Sequence, residues 1–208
     1  MGSHPYDFIV KEFYWGVLPP LGGPRGASIH RTFFEADLAY FCRGLEACYR
    51  RFGTLEELFF SAGRDPARYN LVDDGSPGVN SENFIWNGIN LFRETMASGN
   101  GGLYSKHIAN PEENSACKRL NLALRWLVRS EGPVDLGVWK GISPSKLFIP
   151  LDVHVGRSAR ILGLLDSGRK ANDKKTVTAL TAKLREFCPE DPVKYDLALF
   201  GYGVGSRI

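Results

Sequence analysis

Along this 208-residue chain, apolar residues keep returning three or four positions apart, and in no stretch do they alternate strictly with polar ones as in a half-buried strand. A period of 3.6 puts such residues on one face of a helix, so the pattern calls for helices packed on helices. Phe34, Leu38, Phe41, Leu45 and Cys48 make one such stripe within Thr32 to Phe52. Pro5 to Phe13 reads as a short helix ahead of it, and Pro19 to Ser28 as a Pro- and Gly-rich loop. Thr54 with Glu57 is a capping box for the next helix, and Ser81 caps another that runs through Met96. Arg64 to Asn80 reads as irregular. Further on, Leu147 to Leu151 is a short buried approach to a helix capped by Asp152 and ended by Gly163. Asn172 caps a helix with Val177, Leu180, Leu184 and Phe187 on one face. The last helix opens at Asp191-Pro192 and ends in Gly201-Tyr-Gly203. The expected fold class is all-α, as a single domain over residues 1–208.

Composition narrows the function classes. Hydrophobic residues are 43% and aromatics 12%, the balance of a globular chain. The apolar runs are too short to span a bilayer, and the opening MGSHPYDF lacks the basic start and apolar core of a signal peptide. Cys42, Cys48, Cys117 and Cys188 match no zinc or iron–sulfur spacing. Free thiols in a cytoplasmic protein without metal or cofactor, monomeric and off the membrane, are expected. Net charge is only +3, but residues 115–175 hold 12 Lys and Arg against 5 Asp and Glu. Residues 1–114 hold 10 against 14. A basic segment of that kind suits a polyanion, with nucleic acid the commonest, or is simply a solvated face.

Within the basic segment, SACKRLNLALRWLVR (Ser115 to Arg129) reads as an amphipathic helix. Leu120, Ala123, Leu124 and Leu127 form its apolar stripe, widened by Leu122 and Trp126, with Ser115 as N-cap. Lys118 is out of place there. It falls in the first turn, facing the positive end of the helix dipole, where an acid is preferred. With Arg119 adjacent, that potential disfavours an ammonium, and a neutral lysine amine is a nucleophile for Schiff-base chemistry. Taken alone, such a lysine is more often a solvated surface charge. Asp152, in FIPLDVHVGR, is by the same reasoning an ordinary N-cap first; a capping carboxylate is also rigid and ionised, which is what an electrostatic catalyst needs.

Taken together, the lysine and Ile149-Pro-Leu-Asp-Val-His-Val-Gly-Arg157 followed by Leu162-Gly-Leu164 resemble the helix–hairpin–helix DNA glycosylases, such as endonuclease III and the oxoguanine glycosylases. The blocks SACKRLNLALRWLVR, PSKLFIPLDVHVGR and CPEDPVKYDLALFGYGV are similar to those of a bacterial family known as a domain of unknown function, and PYDFI and HRTFFEADLAYF fit its earlier part. Among enzymes, the archaeal oxoguanine glycosylases are its nearest implied cousins. The resemblance implies two helical lobes around a cleft, with Asp152 supporting glycosidic cleavage and Lys118 attacking the sugar C1′. Three departures stand beside it. The glycine-bearing hairpin is replaced by Asn114-Ser-Ala-Cys117, the iron–sulfur cysteines are missing, and helices usual ahead of PYDFI are not in this sequence.

The implied activity is DNA repair: a glycosylase, with or without AP lyase activity, acting on a flipped damaged base, an oxidised purine among the candidates. Arg119, Arg125, Lys146, His154, Arg157 and Arg160 are expected to contact DNA, and Trp126 and Trp139 to line the base pocket, although core packing is the commoner fate of Trp126. Asp196, in an apolar helix, is expected to meet a buried partner such as Arg125. Two other readings compete. One is a non-catalytic nucleic-acid-binding protein of the same fold, and the other is an interaction protein using its acidic first half.

Overall fold

The computed structural model describes residues 4–11, 13–63, 83–168 and 170–205. The stretch read as irregular, Arg64 to Asn80, and the Ser81 cap lie outside these residues. The chain divides into two compact units, one of Met1–Gly78 with Asn87–Ile108 and the other of Val79–Trp86 with Ala109–Ile208. The described residues are mostly helical, as the period demands.

In the first unit, α1 (Pro5–Val10) is followed by a 3-10 turn (Phe13–Gly16), then α2 (Glu35–Phe52), α3 (Leu55–Gly63) and α4 (Phe84–Ser98), whose first turn belongs to the other unit. The core gathers Ile9, Tyr14 and Cys42, with Leu38, Leu45 and Tyr49 against them. α2 begins three residues later than the pattern predicts. Ser28–His30 and Phe33–Phe34 pair as a short antiparallel hairpin, turning at Arg31 with φ +51°. This hairpin is too short to show as alternation. Asp37 then accepts the Phe34 N–H at 2.9 Å and fixes the helix start. Thr54 Oγ1 accepts the Glu57 N–H at 3.0 Å, as the expected box requires of the threonine.

The second unit carries α5 (Lys118–Val128), α6 (Val153–Ile161), α7 (Lys174–Phe187) and α8 (Asp196–Gly205), with 3-10 turns at Pro111–Glu113, Pro144–Lys146 and Pro192–Tyr195. Leu147 to Leu151 are buried, as expected for the approach to α6. α7 is capped by Asp173, which accepts the Thr176 N–H at 2.9 Å. Asn172, the predicted cap, instead donates to the Asp152 carbonyl at 3.3 Å. Val177, Leu180 and Leu184 are buried, whereas Phe187 is exposed. Pro192 opens the 3-10 turn, and α8 follows from Asp196. Gly203 does not end that helix but sits inside it, because a Cβ there would press on the His154 carbonyl and come within 2.7 Å of Ser158 Oγ. Its bareness lets α8 lie against α6, and Ser158 Oγ donates to the Leu199 carbonyl across the contact.

Candidate functional site

Asp152 precedes α6 in extended backbone, and its Oδ1 accepts the His154 and Val155 N–H groups at 2.9 and 2.8 Å. Its Oδ2 is left pointing outward and takes Lys118 Nζ at 2.9 Å. The carboxylate side chain is 10% exposed and the lysine 46%. Burial alone would raise the Asp152 carboxyl, but the Val155 N–H, the Lys118 ammonium and the His154 N–H outweigh it and hold it below the ordinary carboxylate range. Asp152 is therefore a fixed negative charge rather than a proton acceptor at neutral pH.

Lys118 is the first residue of α5. Ser115 does not cap the helix. It accepts the Cys117 N–H at 3.3 Å, and Cys117 holds the N-cap position at φ +47° with no side-chain cap. The Asn114 backbone is left-handed as well, at φ +60°. Asn114 is tied to the start of α7: its carbonyl accepts the Lys174 N–H at 2.9 Å and its Nδ2 donates to Asp173 Oδ2 at 2.9 Å. The Asn114–Cys117 segment thus uses two non-glycine residues in the glycine-favouring region.

The buried face of α5 overlaps the apolar stripe read from the sequence only at Leu124; Leu120, Leu122, Ala123 and Leu127 are half-buried. Asn121, Leu124, Arg125 and Val128 are buried, while Trp126 is 41% exposed, so its expected core role is corrected. Arg125 is corrected too: at 2% exposed it is out of reach of any polyanion. Its Nη1 meets Asp196 Oδ2 and its Nη2 meets Asp135 Oδ2, each at 3.3 Å. One turn on, Arg129 binds Asp135 and clasps Asp191 at 2.8 Å. The sequence signal for this cluster was Asp196 in an apolar helix; Asp135 and Arg129 gave none. Burial pushes the Asp196 carboxyl up to about 6, the nearby Arg125 opposing the rise and Asp152 adding to it.

The remaining expected residues are spread over the second unit. Arg119 and Arg157 are exposed, and Lys146 and His154 half-buried. His154 packs edge-on against Phe200, ring centres 5.4 Å apart. Arg160 donates to the Ala171 carbonyl and Asn172 Oδ1, both at 3.0 Å. Trp139 is half-buried, and Trp86 is in the core against Phe148. None of the four cysteines is in a disulfide.

What fold and site define is a mostly helical protein that brings a lysine and an aspartate together from the starts of two helices of one unit. Residues 1–205 match the family described as protein of unknown function (DUF2400), and the chain belongs to that family. No curated protein and no solved structure matches it. Among the described residues no helix is long and apolar enough to cross a membrane.

Proposed function

We propose that this protein is a DNA glycosylase with AP lyase activity, acting through Lys118 and Asp152. One observation carries the reading: an exposed lysine amine lies 2.9 Å from a rigidly capped, ionised carboxylate. An exposed ion pair adds little stability, so such a pair is more useful for what it can meet than for what it holds. In the proposed reaction, the Lys118 ammonium gives a proton to the departing base as the glycosidic C–N bond breaks. Positive charge develops on the sugar, and the fixed Asp152 carboxylate stabilises it. The amine left on Lys118 then forms a bond to C1′, the sugar ring opens to a Schiff base, and β-elimination breaks the strand on the 3′ side. Arg119 and Arg157, both exposed, are the DNA-contacting residues this reading keeps first, with Lys146 and His154 behind them; Trp126, exposed and eight residues along α5, is the stacking candidate.

The test is borohydride trapping on oligonucleotides carrying oxoguanine, uracil, thymine glycol, alkylated bases or an abasic site. A covalent adduct that disappears in Lys118→Gln supports the reading and names the lesion class. The rival reading, a binding protein of the same fold, is favoured by the neutralisation of Lys118 in its ion pair. It expects salt-dependent DNA affinity and no adduct on any substrate.

A further inference from the structure

Lys118, Asn121 and Arg125 fall at i, i+3 and i+7 on α5, so helix geometry lines them along one face, and Arg129, the residue that caps its C-terminus, continues the row. Four aspartates from other segments meet that face: Asp152 at Lys118, Asp196 and Asp135 at Arg125, Asp135 and Asp191 at Arg129. Three cations thus face four aspartates, and Glu131, 81% exposed, adds a fifth carboxylate at Arg129 from the water side. The row carries a surplus of negative charge, most of it away from water, and low-dielectric surroundings make such a surplus felt by every member. Asp135 Oδ1 and Arg125 Nε are buried without a hydrogen-bond partner, so the row is not closed on itself.

Asp196 is where the surplus is taken up. It is the first residue of α8, the helix laid against α6 behind Asp152. From α5 it faces Arg125 and feels Lys118; from the segment after α5 it feels Asp135; from the start of α6 it feels Asp152. His154 of α6 packs on Phe200, one turn along α8. Lys194, just before, lies over the Tyr195 ring.

We propose that Asp196 is a positioning residue for the Lys118–Asp152 pair, tying α5 to α8 through Arg125 and setting, by whether it carries a proton, the field in which the pair works. The proposal deepens the functional reading above and rests on it for its catalytic consequence. With Asp196 ionised, the surplus negative charge favours the cationic sugar that forms as the base leaves. With Asp196 protonated one buried negative charge of the row is gone and that assistance weakens. Since burial puts this change near pH 6, base excision should rise through that pH.

The experiment follows the carboxyl carbon of Asp152 by 13C NMR in the full chain labelled at aspartate, from pH 3 to pH 8. Wild type should show two inflections, the acidic one from Asp152 itself and a second near pH 6 sensed from Asp196; Asp196→Asn should keep only the first. A single inflection in wild type, a second that persists in Asp196→Asn, or a second that is lost in His154→Gln overturns the proposal, and the His154 variant decides even where Asp196→Asn fails to fold. Single-turnover excision on the trapped lesion should rise roughly threefold to tenfold across pH 6 in wild type and stay flat at the lower value in Asp196→Asn. If no lesion is cleaved while the second inflection is present, the glycosylase reading fails and the coupling stands. If cleavage occurs without that inflection, the coupling fails and the glycosylase reading stands.

Discussion

The two ends of α5 use the same chemistry, a cation against an aspartate, under opposite conditions. At the outer end Lys118 is in water and Asp152 is fastened by two backbone N–H groups, so the carboxyl is held low. At the inner end Arg125 and Asp135 are almost wholly buried, and Asp196 is pushed up to about 6. The difference teaches where each pair's free energy goes. An exposed pair competes with water and salt, and contributes about 0–1 kcal/mol. A buried pair offsets its own desolvation, so it adds little on balance, yet removing one partner strands the other. Stability should therefore depend on the inner end and activity on the outer.

Breaking the inner end gives the largest expected effect. Arg125→Ala leaves Asp135 and Asp196 without their shared cation, and should destabilise the protein by about 3–5 kcal/mol in urea unfolding. Arg125→Met with Asp196→Asn should recover part of that loss, because the uncompensated charge falls with it. A loss below 1 kcal/mol for Arg125→Ala would mean that the cluster relaxes or takes in water.

Asp196 comes next. Its folded carboxyl sits above the ordinary carboxylate value, so the fold takes up the proton more readily than the unfolded chain. The stability this gives is fully present below about pH 4 and is lost as pH rises through about 6. The loss is on the order of 3 kcal/mol. Asp152 acts the other way: its carboxyl is held low, so its contribution is present at neutral pH and lost in acid. Unfolding measured at pH 4, 5, 6 and 7 should show a component that falls with pH in wild type and is absent in Asp196→Asn. An unchanged pH profile in that variant would remove Asp196 from the account.

Much of this arrangement was legible in the sequence, because helix periods and caps are local. Asp152 as an N-cap, the buried run before it, and a buried partner for Asp196 follow from residues and their neighbours; that the partner is Arg125 rather than a helix N-terminus does not. What local pattern did not disclose was which face of α5 goes inside. Leucines at helical spacing suggested the apolar side, but the aspartates waiting on other segments are distant in sequence, and they turn Asn121, Arg125 and Arg129 inward. The same long-range pairing moves Trp126 to the surface. The hairpin before α2 escaped notice for a different reason: two residues in one strand carry no period.

Removing the cap at the outer end should cost less. Asp152→Ala leaves the His154 and Val155 N–H groups without their acceptor and should lower stability by about 1 kcal/mol. Asp152→Asn keeps a capping oxygen and removes the charge. It should hold most of the stability while weakening the base-excision step, and thereby separate capping from electrostatics.

Lys118→Gln carries the smallest expected stability change and the sharpest contrast. Its ammonium is half in water, so the loss should stay within about 1 kcal/mol and shrink further in high salt. The borohydride adduct, by contrast, should vanish altogether, since glutamine has no amine to attack C1′. A position where substitution leaves the fold nearly untouched and abolishes the covalent product can only be there for the chemistry. A Lys118→Gln protein that unfolds like an Arg125 variant would reverse the comparison, making the outer pair structural and the active amine one to be sought elsewhere.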